Sequence, residues 1–148
     1  AKVLVADLGT KIFYTQHMGY DTHANEGPVH PRLWSEVSRA ISDFYDDLKE
    51  HNVAENVLMF VFTEFGRRVR DNGSGTDHGS GGMALVIGDP VKAGLYGEYP
   101  SLKEGDLMEG DLAYNVDFRG VYGEMVETWL GLDPVSVVGG NFEQLGFV

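Results

Sequence analysis

Hydrophobic and polar positions divide the chain into segments of different period. Residues 1–8 form a short apolar piece that stops at Gly9 and reads as a last helical turn. Residues 11–15, Lys-Ile-Phe-Tyr-Thr, are rich in β-formers and predict a strand. Pro31 suits a first helical turn, and Leu33, Val37, Ile41, Phe44 and Leu48 follow at three- and four-residue steps, with Trp34 and Tyr45 alongside. That spacing predicts one long amphipathic helix over 31–49. The unbroken apolar run 57–63 has strand length and suits a strand covered on both faces, with Glu64 at its carboxyl edge. Residues 70–82 are rich in Gly, Ser, Asp and Asn and read as a loop carrying Asp77 and His78, before a strand at 83–87. Few apolar positions recur in 90–110, and 107–112 reads as a short hairpin edge. Asn115 or Asp117 is placed to cap a last helix, whose stripe is Phe118, Val121, Tyr122, Met125, Val126 and Trp129. No internal repeat is present.

Strand, helix, strand, loop, strand, helix is the order of an α/β domain, and it predicts a mainly parallel sheet flanked by helices. Ligands of such folds sit outside the carboxyl ends of strands. Asp21 and His23 follow the 11–15 strand, Glu64 follows the 57–63 strand, and His78 lies in the next loop. One site at the sheet's carboxyl edge is therefore expected. An opening inside a helical turn also suggests further sequence N-terminal to Ala1, with residues 1–148 as the later part of one larger domain, although a frayed first helix explains the same pattern.

Composition narrows the chemistry. The 148 residues carry 11 basic and 23 acidic side chains, a formal net charge of -12, which argues against nucleic acid and anionic membranes as partners. With no cysteine, any metal must be held by imidazole and carboxylate. No apolar run approaches the length of a membrane span.

Three glycine-marked signatures carry the candidate site: Gly19-Tyr20-Asp21-Thr22-His23, Thr63-Glu64-Phe65-Gly66-Arg67-Arg68 and Gly75-Thr76-Asp77-His78-Gly79. Glycine lets backbone approach a ligand closely, while Asp, Glu and neutral His offer the donors that a divalent ion accepts. Each signature also has a structural reading. Asp21 and His23 fit a surface Asp-Thr-His turn, and Glu64 fits an ion pair with Arg67 or Arg68. For His78 the loop supplies no structural need for imidazole. His30 precedes the long helix and fits either a fourth ligand or a cap-region residue; His51 at the helix end complements the dipole.

Taken together with Phe44-Tyr45-Asp46-Asp47-Leu48 and Asp117-Phe118-Arg119-Gly120-Val121-Tyr122, these signatures resemble the DUF1501 family along nearly the whole chain. That largely uncharacterised family is often found in exported bacterial proteins and is grouped with the alkaline phosphatase and sulfatase superfamily. The resemblance implies an alkaline-phosphatase-like α/β fold, of which this chain is the C-terminal part, and a periplasmic or exported location. It also implies two divalent metals, of which Zn, Mn and Ca are the candidates. Asp21, His23 and His78 match ligands of one metal, and Glu64 takes the place of an Asp at the second. Phe65 stands where a second-metal His is expected, and the nucleophile has no match, so the remaining N-terminal part of the same domain would have to supply it.

Two function classes follow. One is a metal-dependent hydrolase or transferase acting on a small phosphate or sulfate ester, with Arg67 as anion clamp. The other is a non-catalytic scaffold or carbohydrate-associated binding protein that keeps an incomplete site.

Overall fold

A computed structural model describes residues 1–148. Helix α1 is a single turn, Lys2–Val5. Helix α2, Glu26–Glu50, is the long helix of the molecule and begins upstream of the expected 31–49. Pro28 occupies its first turn, where the missing N–H is an orphan anyway, and Pro31 lies inside the helix at the cost of one intrahelical bond. The expected stripe faces inward: Leu33 and Leu48 are buried, and Val37, Ile41 and Phe44 are half-buried between them. Asn25 enters the helix in a left-handed conformation.

The expected parallel sheet is overturned. Strand β1 is Met59–Val61 and β4 is Leu85–Ile87, shorter than the runs 57–63 and 83–87, and they pair antiparallel with Met59 opposite Ile87. Strands β2, Gly66–Asp71, and β3, Thr76–Gly79, form a second antiparallel pair. Two small antiparallel ribbons thus replace a mainly parallel, alkaline-phosphatase-like sheet. The reason is connectivity. Parallel neighbours need a crossover of a dozen or more residues, usually helical, whereas the chain between β1 and β4 folds as the β2–β3 hairpin and returns alongside its start.

Residues 11–15 are also not a strand. Their side chains have β-forming character but no neighbouring strand to bond, and unpaired backbone does not hold an extended ladder. The expected loop 70–82, by contrast, contains most of the β2–β3 hairpin. Asn72 makes its turn: the side-chain Oδ1 accepts from the N–H of Ser74 at 3.1 Å and of Gly75 at 3.0 Å. Glycine is required where the strands close up, since a Cβ on Gly66 would lie 1.7 Å from the Gly81 carbonyl oxygen. At 107–112 the expected hairpin edge is present as one bridge between Met108 and Asp111.

Asp117 caps helix α3, Phe118–Glu124, by accepting from Arg119 N at 2.9 Å. The helix continues as a π turn, Met125–Trp129, and helix α4 is Val135–Val138. Here lies the better-packed end of the molecule, with Met125, Val126 and Phe147 buried. Only 13 residues are buried, and the accessible surface of 10368 Å² exceeds the roughly 7,500 Å² of a compact monomer of this length. Ile12, Phe13, Met18 and Met83 are among the exposed apolar side chains. No helix is long and apolar enough to cross a membrane.

Candidate metal centre

The residues between Gly19 and α2 are held from three sides. Gly19 turns the chain at φ 106°, letting Tyr20 fold back so that its hydroxyl donates to Leu33 O at 3.3 Å and its ring meets Trp34 edge-on. His30, one turn into α2, brings Nε2 to 2.9 Å from Thr22 Oγ1 and 3.2 Å from Tyr20 O. Arg67 reaches across from β2. Its Nη1 donates to Thr76 O at 2.7 Å and to Thr22 O, and its Nη2 donates to Tyr20 O. One guanidinium thereby ties the Asp21–His23 turn to the hairpin, using the fixed fork that only Arg offers. Glu26 adds a second tie, its Oε2 accepting from Thr76 N and Oγ1, both at 2.8 Å. Burial pushes the Glu26 carboxyl up, but the two Thr76 hydrogen bonds and nearby Arg67 outweigh it and hold the group below its ordinary value.

These ties bring Asp21, His23 and His78 together, with ligand atoms all within 4.8 Å of one another. Asp21 Oδ1 lies 2.7 Å from His78 Nε2 and 3.3 Å from His23 Nε2. His23 Nδ1 lies 3.0 Å from Asp77 Oδ1, which also accepts from Asn72 Nδ2 at 3.1 Å. The two imidazoles stand 4.9 Å apart, and Phe65 stacks on His78 with centroids at 3.7 Å and planes 11° apart. Hydrogen bonding to His78 lowers the Asp21 carboxyl, and hydrogen bonding to His23 and then Asn72 lowers Asp77. The Asp77 hydrogen bond is the largest cause of the raised value at His23. Side-chain exposure from 42% at His78 to 66% at Asp21 leaves the cluster open to a small ligand on one side.

Of the sequence candidates, Asp21, His23 and His78 come together, but not at the carboxyl edge of a parallel sheet: His78 lies within β3, and no strand precedes Asp21 and His23. Glu64 stands outside the cluster: it is exposed and is not among the grouped donors. Arg67 is at the site, but with both Nη atoms on backbone carbonyls. His30 supports the loop through Thr22 and Tyr20. In the sequence Asp77 stands out only as a motif member, and Asn72 and Glu26 do not stand out at all. The signal for Asp77 is its place beside His78 in a short glycine-bounded segment of β3, where Asp77 meets His23 and His78 meets Asp21. No such signal marked Glu26, whose partner Thr76 lies 50 residues away.

The donors suit a divalent ion. Bonds of roughly 2.0–2.1 Å in a tetrahedron place ligand atoms about 3.3 Å apart, close to the His23 to Asp21 separation. The shorter His78 contact would open slightly. No curated protein and no solved structure matches the chain. The family model described as a protein of unknown function, DUF1501, matches residues 2–126. Matched over most of its length by that model, the chain belongs to the DUF1501 family.

Proposed function

We propose that Asp21, His23 and His78 hold a divalent metal and that the protein uses it as a hydrolase or transferase on small phosphate or sulfate esters. The observation that carries this reading is that both nitrogens of His23 face carboxylates, Asp77 at 3.0 Å and Asp21 at 3.3 Å. A neutral imidazole has one N–H to give and carboxylates only accept, so in that form one nitrogen lone pair points at Asp21 oxygen with nothing positive between them. A cation removes that conflict. It arrives either as a proton, making imidazolium, or as a metal ion that Asp21 and His78 share.

Bound there, the ion supplies Lewis-acid polarisation of an ester oxygen and charge stabilisation at the leaving oxygen. The chain's own groups do the rest. Arg67 and Glu26 keep the Asp21–His23 turn against β3, so loading would need only the slight opening of the His78 to Asp21 contact. Phe65 covers one face of His78 and limits the directions from which water enters. Zinc and manganese fit this oxygen and nitrogen donor set better than calcium, which prefers six to eight oxygens. The reading rests on the donors and not on a parallel-sheet architecture. In it, further ligands and the nucleophile come from outside the Asp21, His23 and His78 cluster.

A second reading, a non-catalytic binding protein that keeps the site for structure, is favoured by the engagement of nearby hydroxyls. Thr22 Oγ1 is at His30 and Thr76 Oγ1 donates to Glu26. Calorimetric titration with Zn²⁺ and Mn²⁺ separates proton from metal. Wild type should bind one ion, His78→Ala should lose 100-fold or more in affinity at unchanged melting temperature, and Glu64→Gln should stay within twofold. Unchanged metal content in His78→Ala, with much earlier melting, would establish His78 as a structural hydrogen-bonding group.

A further inference from the structure

The geometry points to Asp77 as a positioning residue: we propose that its carboxylate holds His23 in the Nδ1–H tautomer and in one ring orientation, so that the Nε2 lone pair is presented beside Asp21 and His78. The proposal rests on the metal reading for its purpose but not for its content, since the tautomer is a property of the unloaded protein.

Three contacts carry it. Asp77 Oδ1 lies 3.0 Å from His23 Nδ1, while the other ring nitrogen, Nε2, faces Asp21 at 3.3 Å. Asn72 Nδ2 donates to that same oxygen at 3.1 Å and to the backbone oxygen of His23 at 3.1 Å. One amide therefore orients both the carboxylate and the residue that the carboxylate orients. Asn72 is itself fixed by the hairpin turn, where its Oδ1 accepts from Ser74 and Gly75 and its N–H donates to Gly75 O at 2.9 Å. Asp77 sits in β3 next to His78, whose Nε2 reaches Asp21 at 2.7 Å. Asp77 is not among the donors that come within 4.8 Å of one another, so its carboxylate meets the cluster only through His23. It supports the neighbouring ring from behind. A carboxylate behind a ligating imidazole makes the exposed nitrogen a better base and removes the entropy of ring flips, and loss of such a partner typically lowers metal affinity 10- to 100-fold.

The test combines two readouts on the full 148-residue chain. Long-range proton–nitrogen NMR spectra of the metal-free protein at pH 8 report which His23 nitrogen carries the proton. Wild type should show the Nδ1–H form. Asp77→Ala should shift His23 toward the Nε2–H form that dominates in free imidazole side chains, and Zn²⁺ affinity by calorimetry should fall 10- to 100-fold. Asp77→Asn retains a carbonyl oxygen for Nδ1–H and should recover part of both effects. An unchanged His23 tautomer in Asp77→Ala overturns the proposal. So does a loss of Zn²⁺ binding as complete as that of His78→Ala without a tautomer shift, which would make Asp77 a ligand in its own right. Absence of Zn²⁺ binding in wild type with the tautomer shift intact would remove the metal reading while leaving the positioning role established.

Discussion

Two carboxylate sites in this molecule are built in opposite ways. Glu124, at the end of α3, is 1% exposed and accepts from backbone alone: Leu145 N and Gly146 N at 2.8 Å on Oε2, and Val148 N at 2.9 Å on Oε1. Asp21 and Asp77 are exposed, and their partners are the imidazoles of His78 and His23. Backbone amides have no other state to offer, so Glu124 is committed to holding the C-terminal segment. Imidazoles exchange protons and accept metals, so the Asp21 and Asp77 cluster keeps a choice of occupant. Burial and partner type, and not residue identity, distinguish a structural carboxylate from one available for chemistry.

Breaking the buried side should have the largest effect. Glu124→Ala leaves three backbone N–H groups without their acceptor in a protected place, and roughly 3–5 kcal/mol of stability should be lost in urea denaturation. Glu124→Gln keeps an oxygen for part of the set and should lose less. Metal affinity at the distant cluster should stay unchanged once conditions keep the variant folded. A loss of affinity equal to the loss of stability would show that the two ends are one cooperative unit.

Arg67→Lys probes the tie beneath the exposed site. A single ammonium cannot bond the carbonyls of Tyr20, Thr22 and Thr76 together, so roughly 1–3 kcal/mol should be lost. Zn²⁺ affinity should fall about tenfold as the Asp21–His23 turn drifts from β3. Should Arg67→Lys bind Zn²⁺ normally and weaken only an added phosphate, the guanidinium is an anion clamp after all.

The smallest effect belongs to a half-buried carboxylate whose partner is neither amide alone nor imidazole. Hydrogen bonding from the Arg119 side chain and N–H lowers Asp117 to about 2. The sign follows from linkage: a carboxyl lowered in the folded state stabilises fully above its ordinary value near 4, and the contribution disappears as pH falls through about 2. Carboxyl NMR titration should find that midpoint, and Asp117→Asn should remove the pH dependence of amide protection in α3 between pH 4 and 2. An Asp117 midpoint near 4 would mean that the Arg119 pairing is not populated in solution.

Legibility in the sequence followed the range of the interactions. The stripe from Leu33 to Leu48 announced α2 because helix periodicity is local, yet the start at Glu26 was hidden because Pro31 normally opens a helix and here lies inside one. Asn72, Gly73, Ser74 and Gly75 are poor β-formers, so the sequence pattern hides the hairpin; its strands are held by turn chemistry and by the distant ties of Arg67 and Glu26. Residues 11–15 show the converse, with strand propensity and no partner.

What the sequence by itself determined was the donor set and its spacing: no cysteine, two glycine-marked segments bearing Asp21, His23 and His78, and an acidic balance that favours a cation. Only the tertiary structure decided that the strands run antiparallel, that Glu64 stays outside the cluster, and that Asp77 stands behind His23. The physical reason is that ligand chemistry is a property of side-chain type, carried by each residue wherever it goes. Strand direction and contacts such as Asp77 to His23, 54 residues apart, exist only once the chain has closed on itself.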